Sequence, residues 1–403
     1  MQRSGRKPLS QAAQCFVHFC GSSYSLEVSP GKLSWNVERI MIRLKLRCAI
    51  AGAAAVLAAV LVVGAAVPVH AESGCAPVPP VVTSLNVPRF YSDEAGSIVD
   101  PVLKAQHEKA VEPLTAFLRQ VVSDADHAYT RSSEKSQMEA AQCALTWLQT
   151  WAAGGAWLGE MSTKQAEYQR KWDLGGVALA YLKLRTFTTP EQRLVIEPWL
   201  QQFADKAHAF FDDPEHKRNN HWYWLGLGEA AVGMATNSPR HFDIARGIMH
   251  DAMHDVAANG TLPAEMERKG RALYYHVFAL VPLVLMGELG AANNEDWFGF
   301  ENGAIHRLVG VTLAGLQDPA IFDALAGVKQ ERPINTRAEW LQAYQRRFPD
   351  RVTGDVPDVA ETNRWLGCKT RRNSMRWPAS NRSARSTHAP NGCKPINAAS
   401  PIA

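Results

Sequence analysis

Asn219-Asn220-His221-Trp222-Tyr223-Trp224 opens the stretch whose reading decides the fold, and Glu265-Met266-Glu267-Arg268-Lys269-Gly270-Arg271-Ala272-Leu273-Tyr274-Tyr275-His276 closes it. Between them lie two runs of helical apolar period, 223–237 and 241–257, then a turn at Asn259-Gly260 followed by Pro263. Helix, helix, turn, helix is the reading, with the polar clusters at the helix starts. Arg268 and Tyr275 are seven apart, about two helical turns, so they share a face roughly 10 Å apart along the axis.

Outward from this stretch the pattern repeats. Helical runs are expected at 101–123, 136–158, 163–186, 190–211, 221–237, 240–257, 265–289, 301–315 and 337–347, with Pro282 kinking the seventh. Breaks fall at 159–162, 187–190, 212–220, 238–240 and 258–264, and no convincing alternating strand is found. Short connections between helices of this length stack as antiparallel hairpins. The expected fold is therefore all-α, an incomplete (α/α) toroid of helical hairpins in two layers. The proline-rich stretch 75–101 reads as an extended arm leading into it.

Charge divides the chain into segments. The formal net charge of +4 conceals eight Lys/Arg against two acids in 1–71 and seven Lys/Arg without an acid in 368–403. The remaining 72–367 carries 28 Lys/Arg against 37 Asp/Glu, a net of −9. An acidic body argues against a nucleic-acid partner, which would need a broad basic surface. A polyanionic ligand would have to be drawn to a local basic site.

Met41-Ile42-Arg43-Leu44-Lys45-Leu46-Arg47, the apolar 49–67 and Val69-His70-Ala71 have the three parts of a cleavable secretory signal, so 41–71 is read as a signal peptide. Residues 1–40 match none of these parts and are read as an over-extended start. Residues 368–403 lack periodicity and read as a disordered or frame-shifted tail, leaving 72–367 as one domain. Periplasmic location follows, with no stable membrane insertion after cleavage. Export permits disulfides. With Cys15, Cys20 and Cys48 in the leader and Cys368 and Cys393 in the tail, Cys75 and Cys143 are the expected pair.

Asn219-Asn220-His221-x-Tyr223-Trp224 together with Glu265-x-x-Arg268-x-x-Arg271-Ala272-Leu273-x-Tyr275-His276 resembles the alginate lyases of the polymannuronate-lyase type. Cys143-Ala-Leu-x-Trp147-x-x-x-Trp151-Ala-Ala-Gly154-Gly155, Arg170-Lys171-Trp172 and Glu301-Asn302-Gly303-Ala304 extend the match in the same order over about 75–350. The resemblance implies cleavage of a 1,4-linked uronate polymer by β-elimination, in a cleft between the helix opening at His221 and that carrying Arg268. It also assigns Asn220, His221 and Arg268 to the substrate carboxylate and Tyr275 to proton transfer.

The chemistry requires such groups. Taking the C5 proton beside a charged carboxylate would place a second negative charge on the same group, so that carboxylate must be neutralised by amide, imidazole and guanidinium donors. Tyr275 can then act as base and acid in a syn elimination, its pKa lowered by cationic surroundings, with His221 the alternative base. Substrate contacts are expected from Arg89, Tyr91, Trp147, Trp151, Trp172, Asn219, Trp222, Trp224 and Arg271. Each has a plainer role available: Asn219 or Asn220 as a helix cap, the tryptophans as core.

Two departures bear on the substrate. Phe90-Tyr91 stands where the lyases carry Lys-Tyr in a lid loop, with Arg89 one residue earlier as a substitute charge. Trp222 replaces a small residue. Polymannuronate or alginate is the expected substrate, polyglucuronate or a mixed uronan the alternative, and a non-catalytic uronan-binding scaffold the competing reading. No cofactor or metal is expected; His250 and His254, at i and i+4, read as an exposed helix face. The chain is expected to act as a monomer, with contact to polysaccharide biosynthesis or export machinery.

Overall fold

The computed structural model describes residues 74–94, 96–331 and 339–352, together with the backbone of a short antiparallel hairpin, Val17–Phe19 paired with Ser22–Tyr24. The chain divides into a unit Met1–Glu72 and a unit Ser73–Ala403. The expected signal segment 41–71 and tail 368–403 lie outside the described residues.

In the second unit the helices are α1 (Pro101–Thr130), α2 (Glu134–Ala153), α3 (Lys164–Leu184), α4 (Pro190–Phe211), α5 (Asn220–Thr236) and α6 (Pro239–His254). They continue as α7 (Pro263–Met266), α8 (Ala272–Ala292), α9 (Phe300–Gln317), α10 (Ala320–Ala326) and α11 (Glu339–Arg347). Local chemistry sets their starts. The Asp100 carboxylate accepts from Val102 and Leu103 N–H at 2.8 and 3.0 Å, and Pro101 supplies a pre-set φ at the first position. Thr189 and Gln192 form a reciprocal capping box at α4. Asn237, in the left-handed region at φ 51°, ends α5.

Packing builds two layers. Consecutive helices pair as α1 with α2, α3 with α4, α5 with α6 and α8 with α9. The first members also meet in series, α1 on α3, α3 on α5 and α5 on α8, while α2 meets α4 and α6 meets α9 on the other side. The inner helices are accordingly covered on most faces. Every residue from Trp222 to Thr236 of α5 is buried, as is every residue from Tyr275 to Gly290 of α8. Gly226 makes one such approach possible, since a Cβ there would sit 2.6 Å from Ile248 and 2.7 Å from Met286.

Three helix readings need correction, the first being 101–123, which continues to Thr130. The run 136–158 stops at Ala153, because Gly154 and Gly155, the latter at φ 67°, turn the chain away. The run 265–289 is not one helix: α7 is a single turn, Lys269 adopts φ 53°, a 3-10 turn spans Lys269–Arg271, and α8 begins afresh at Ala272 and runs through Pro282.

The N-terminal arm is fastened to the α2–α3 connection. Trp157 N–H donates to Val82 O, Gly159 N–H to Thr83 O and Leu85 N–H to Glu160 O, at 2.9–3.0 Å. A Cβ at Gly159 would lie 2.3 Å from Ser84 Oγ, so only glycine admits the arm there. Cys75 and Cys143 are joined in a disulfide. Trp147 and Trp151 donate their indole N–H to Ala76 O and Pro79 O at 3.0 and 3.1 Å, and Trp151 stacks on Phe117 at 3.6 Å. Both are buried. This corrects their expected role as sugar contacts: they hold the arm and fill the core.

Candidate active site

The arm delivers a short lid at 88–100. Tyr91 bridges Val99, and Asp93 folds the tip by accepting from Ser97 and Ile98 N–H at 2.9 and 2.7 Å. Phe90 packs edge-on against His107 of α1, and His107 contacts Pro88 O at 3.2 Å. The lid closes one side of a cleft of about 680 Å³, whose other walls come from the starts of α3 and α5, the 215–219 loop, α7 and α8.

Asn220, His221, Arg268 and Tyr275 all line this cleft. Asn219 caps α5 through its side-chain oxygen, which accepts from His221 N–H at 3.0 Å, and that cap directs Asn220 and His221 inward. Asn220 is fully buried and its Oδ1 has no hydrogen-bond partner. His221 stacks on Tyr168 at 3.9 Å, and its Nδ1 is likewise buried without a partner. Burial, followed by the nearby charges of Lys171, Arg268 and Lys164, holds the imidazole well below its ordinary pKa, so it is neutral at neutral pH.

The break before α8 has a consequence for Arg268. With the helix interrupted, its guanidinium carbon lies 4.4 Å from the centre of the Tyr275 ring. Arg268 Nε also faces Glu265 Oε2 at 3.7 Å. The Tyr275 hydroxyl is 2.9 Å from that of Tyr91, which in turn accepts from Arg271 at 3.0 Å. Burial and then Tyr91 push the Tyr275 pKa well above its ordinary value, against the opposing pull of Arg268 and Arg271. Cationic neighbours alone would have lowered it; desolvation outweighs them, and Tyr275 rests as a protonated phenol.

The expected binding residues separate by position. Arg89, Tyr91, Trp172, Asn219 and Trp224 line the cleft, and the buried indole N–H groups of Trp172 and Trp224 have no protein partner. Arg89 donates to the carbonyls of Asp93 and Glu94 in its own loop. Arg271 acts from behind, through Tyr91. Trp222 does not reach the cleft: its N–H donates to Asp251 at 3.2 Å, and Arg218 covers its ring. His250 and His254 both face Glu301, at 3.4 and 4.0 Å.

Sequence reasoning missed Tyr168, Tyr274, Phe278 and Glu265. Tyr168 stands four residues before Trp172 in a helical run, a spacing that would have paired them. Lys171 is hidden behind this aromatic wall, its ammonium 3.7 Å from the Trp172 ring centre. Burial pulls its pKa well below the ordinary lysine value.

The alginate lyase family model matches residues 85–322. A polysaccharide lyase of Stenotrophomonas maltophilia is 39% identical over 293 residues, covering 72% of this chain and 86% of that protein. The chain belongs to the alginate lyase family. An alginate lyase of Azotobacter vinelandii is 34% identical over 291 residues, covering 69% of this chain and 78% of its own. Alginate lyase A1-III from Sphingomonas species A1 shares the fold, with a TM-score of 0.61 at 22% identity over 72% of this chain and 83% of that one. A histidine variant of alginate lyase A1-III complexed with tetrasaccharide gives a TM-score of 0.65 at 21% identity, with the same coverage. That shared fold is the α/α toroid, in which the two layers described above curve around the cleft. The chain is a polysaccharide lyase.

Proposed function

We propose that this lyase cleaves alginate, with polymannuronate as its preferred block, by β-elimination in the cleft beneath the lid. The observation that carries the reading is the convergence of Asn220, His221, Arg268 and Tyr275 on one cleft beside unpartnered indole donors. Asn220, His221 and Arg268 would neutralise the sugar carboxylate, so that the negative charge developing as the C5–H bond breaks is met by fixed donors.

Tyr275 is the proposed carrier of the proton. Arg271 donates to the Tyr91 oxygen, which leaves the Tyr91 hydroxyl hydrogen available to Tyr275. A Tyr275 phenolate is then stabilised by the positive charges of Arg268, over its ring, and Arg271. The phenolate takes the C5 proton, the freed electron pair forms the C4–C5 double bond, the C4–O bond breaks, and the phenol returns its proton to the departing oxygen. Because the resting phenol is held above its ordinary pKa, turnover should rise with pH through the neutral range. Neutral His221 is the alternative acceptor of the C5 proton, favoured by its unpartnered Nδ1.

The test measures ultraviolet absorbance of the new conjugated double bond with polymannuronate, polyguluronate and polyglucuronate. Tyr275→Phe keeps the ring and should lower kcat by about 10²–10⁴-fold, the usual share of general acid–base catalysis. Near-normal turnover in that variant would move proton transfer to His221. We also propose export to the periplasm with 41–71 as leader, supported by the Cys75–Cys143 disulfide, a bond favoured in oxidising compartments. Fractionation of cells expressing the full chain tests this, and activity confined to the cytoplasm would refute it.

A further inference from the structure

Behind the cleft a single buried carboxylate gathers the groups assigned to the substrate. Glu265 lies on α7 and is fully buried. Its Oε1 accepts the Asn220 backbone N–H at 2.7 Å and Asn220 Nδ2 at 2.8 Å, while Oε2 faces Arg268 Nε at 3.7 Å. Because a carboxylate oxygen accepts hydrogen bonds, the nitrogen of the Asn220 amide must turn towards Glu265. One Nδ2 hydrogen is used in that bond. The other, with the unpartnered Oδ1, is left to the cleft that Asn220 lines.

We propose that Glu265 is a positioning residue for the elimination, holding Asn220 and Arg268 in the relative orientation in which both meet one sugar carboxylate. The inference rests on the reading that these two residues neutralise that carboxylate. Glu265 touches no substrate itself. Its own place is secured where Leu262 N–H donates to His276 Nε2 at 2.9 Å, which ties the turn before α7 to the helix carrying Tyr275. A carboxylate at the start of α5 also suits the positive end of that helix, so a purely stabilising role must be told apart from positioning.

The test compares Glu265→Ala, Glu265→Gln, Asn220→Ala and the Glu265→Ala/Asn220→Ala double variant, in the full chain, on polymannuronate. Glu265→Ala should lower kcat about 100-fold, the scale of losing one preorganised donor, with KM changed less than about threefold. Glu265→Gln presents a carbonyl to both Asn220 N–H groups and should restore at least about tenfold of that loss, with the wild-type melting temperature. In the double variant the loss in kcat should be well short of the product of the two single losses, because Asn220 and Glu265 act as one unit while Arg268 still loses its carboxylate. Wild-type kcat in Glu265→Ala would overturn the proposal, as would losses that multiply in the double variant. A Glu265→Gln protein as inactive or as unstable as Glu265→Ala would equally overturn it. Absence of wild-type turnover on every uronan tried would instead refute the functional reading, and the role of Glu265 with it.

Discussion

Acid should loosen the site from behind, through His276. This side chain is fully buried, its Nε2 accepting from Leu262 N–H at 2.9 Å and its Nδ1 contacting Ala272 O at 2.8 Å. The carbonyl requires hydrogen on Nδ1 and the amide requires a bare Nε2, so the ring is held as one neutral tautomer. Burial lowers its pKa from 6.5 to about 4. Between those values the unfolded chain takes up a proton that the folded chain refuses. Stability is therefore complete above pH 6.5, falls as the pH falls, and has lost this contribution by about pH 4. For that shift the linkage relation gives about 2 kcal/mol lost at pH 5 and roughly 3 kcal/mol in full. At roughly 2 °C per kcal/mol for a folded body of more than 250 residues, about 2 kcal/mol lowers the melting temperature by roughly 3–4 °C. His276→Gln can present oxygen to Leu262 and nitrogen to Ala272 without titrating. Circular-dichroism melts of both proteins at pH 8 and pH 5 isolate the effect from His107 and His221, whose lowered pKa values act in the same direction. If wild type and His276→Gln lose stability in parallel between the two pH values, the reasoning is wrong.

Arg89→Ala should raise KM severalfold and make it less sensitive to salt, because a screened attraction for a polyanion is removed from the cleft edge; kinetics at low and high ionic strength test this, and wild-type values would show that Arg89 serves its own loop alone. Cys143→Ser opens a disulfide with a sequence separation of 68 residues and should cost about 4 kcal/mol in urea unfolding, the chain-entropy value for such a loop. Trp147→Phe loses the bond to Ala76 and should destabilise by about 1–3 kcal/mol while leaving KM alone. Trp172→Phe, in the cleft wall, should raise KM with a smaller change in melting temperature.

The order of helices was legible because apolar period, caps and short connections agreed with one another along the chain. Arm, disulfide and the two cleft-lining segments, 219–224 and 265–276, were legible for a similar reason, each resting on residue types with narrow uses. What spacing could not convey was which side of a helix meets the ligand. Trp147 and Trp151 are four apart and so are Tyr168 and Trp172, yet the first pair closes the core under the arm and the second walls the cleft. Period identifies a shared face and is silent on what that face meets, all the more for a helix such as α3 that is buried nearly all round. Tyr275 failed differently. Its charged neighbours are visible in the sequence, whereas the burial that outweighs them exists only once the lid and α8 are assembled.

The break between α7 and α8 is the feature that periodicity was least able to reveal, and the site depends on it. A continuous helix would keep the backbones of Arg268 and Tyr275 two turns apart, roughly 10 Å, on one face. The chain instead turns through Lys269 in the left-handed region, a strained choice for a residue with a Cβ. Residues some sixty positions later hold that turn. Gln330 donates to Lys269 O at 3.0 Å and accepts Leu273 N–H at 3.0 Å, while Glu331 N–H donates to Gly270 O at 2.7 Å. Local sequence at 265–276 is compatible with a helix; the segment after α10 supplies the hydrogen bonds that break it. The placement of Arg268 over Tyr275 is therefore a tertiary property, written in Gln330 and Glu331 as much as in the two residues themselves.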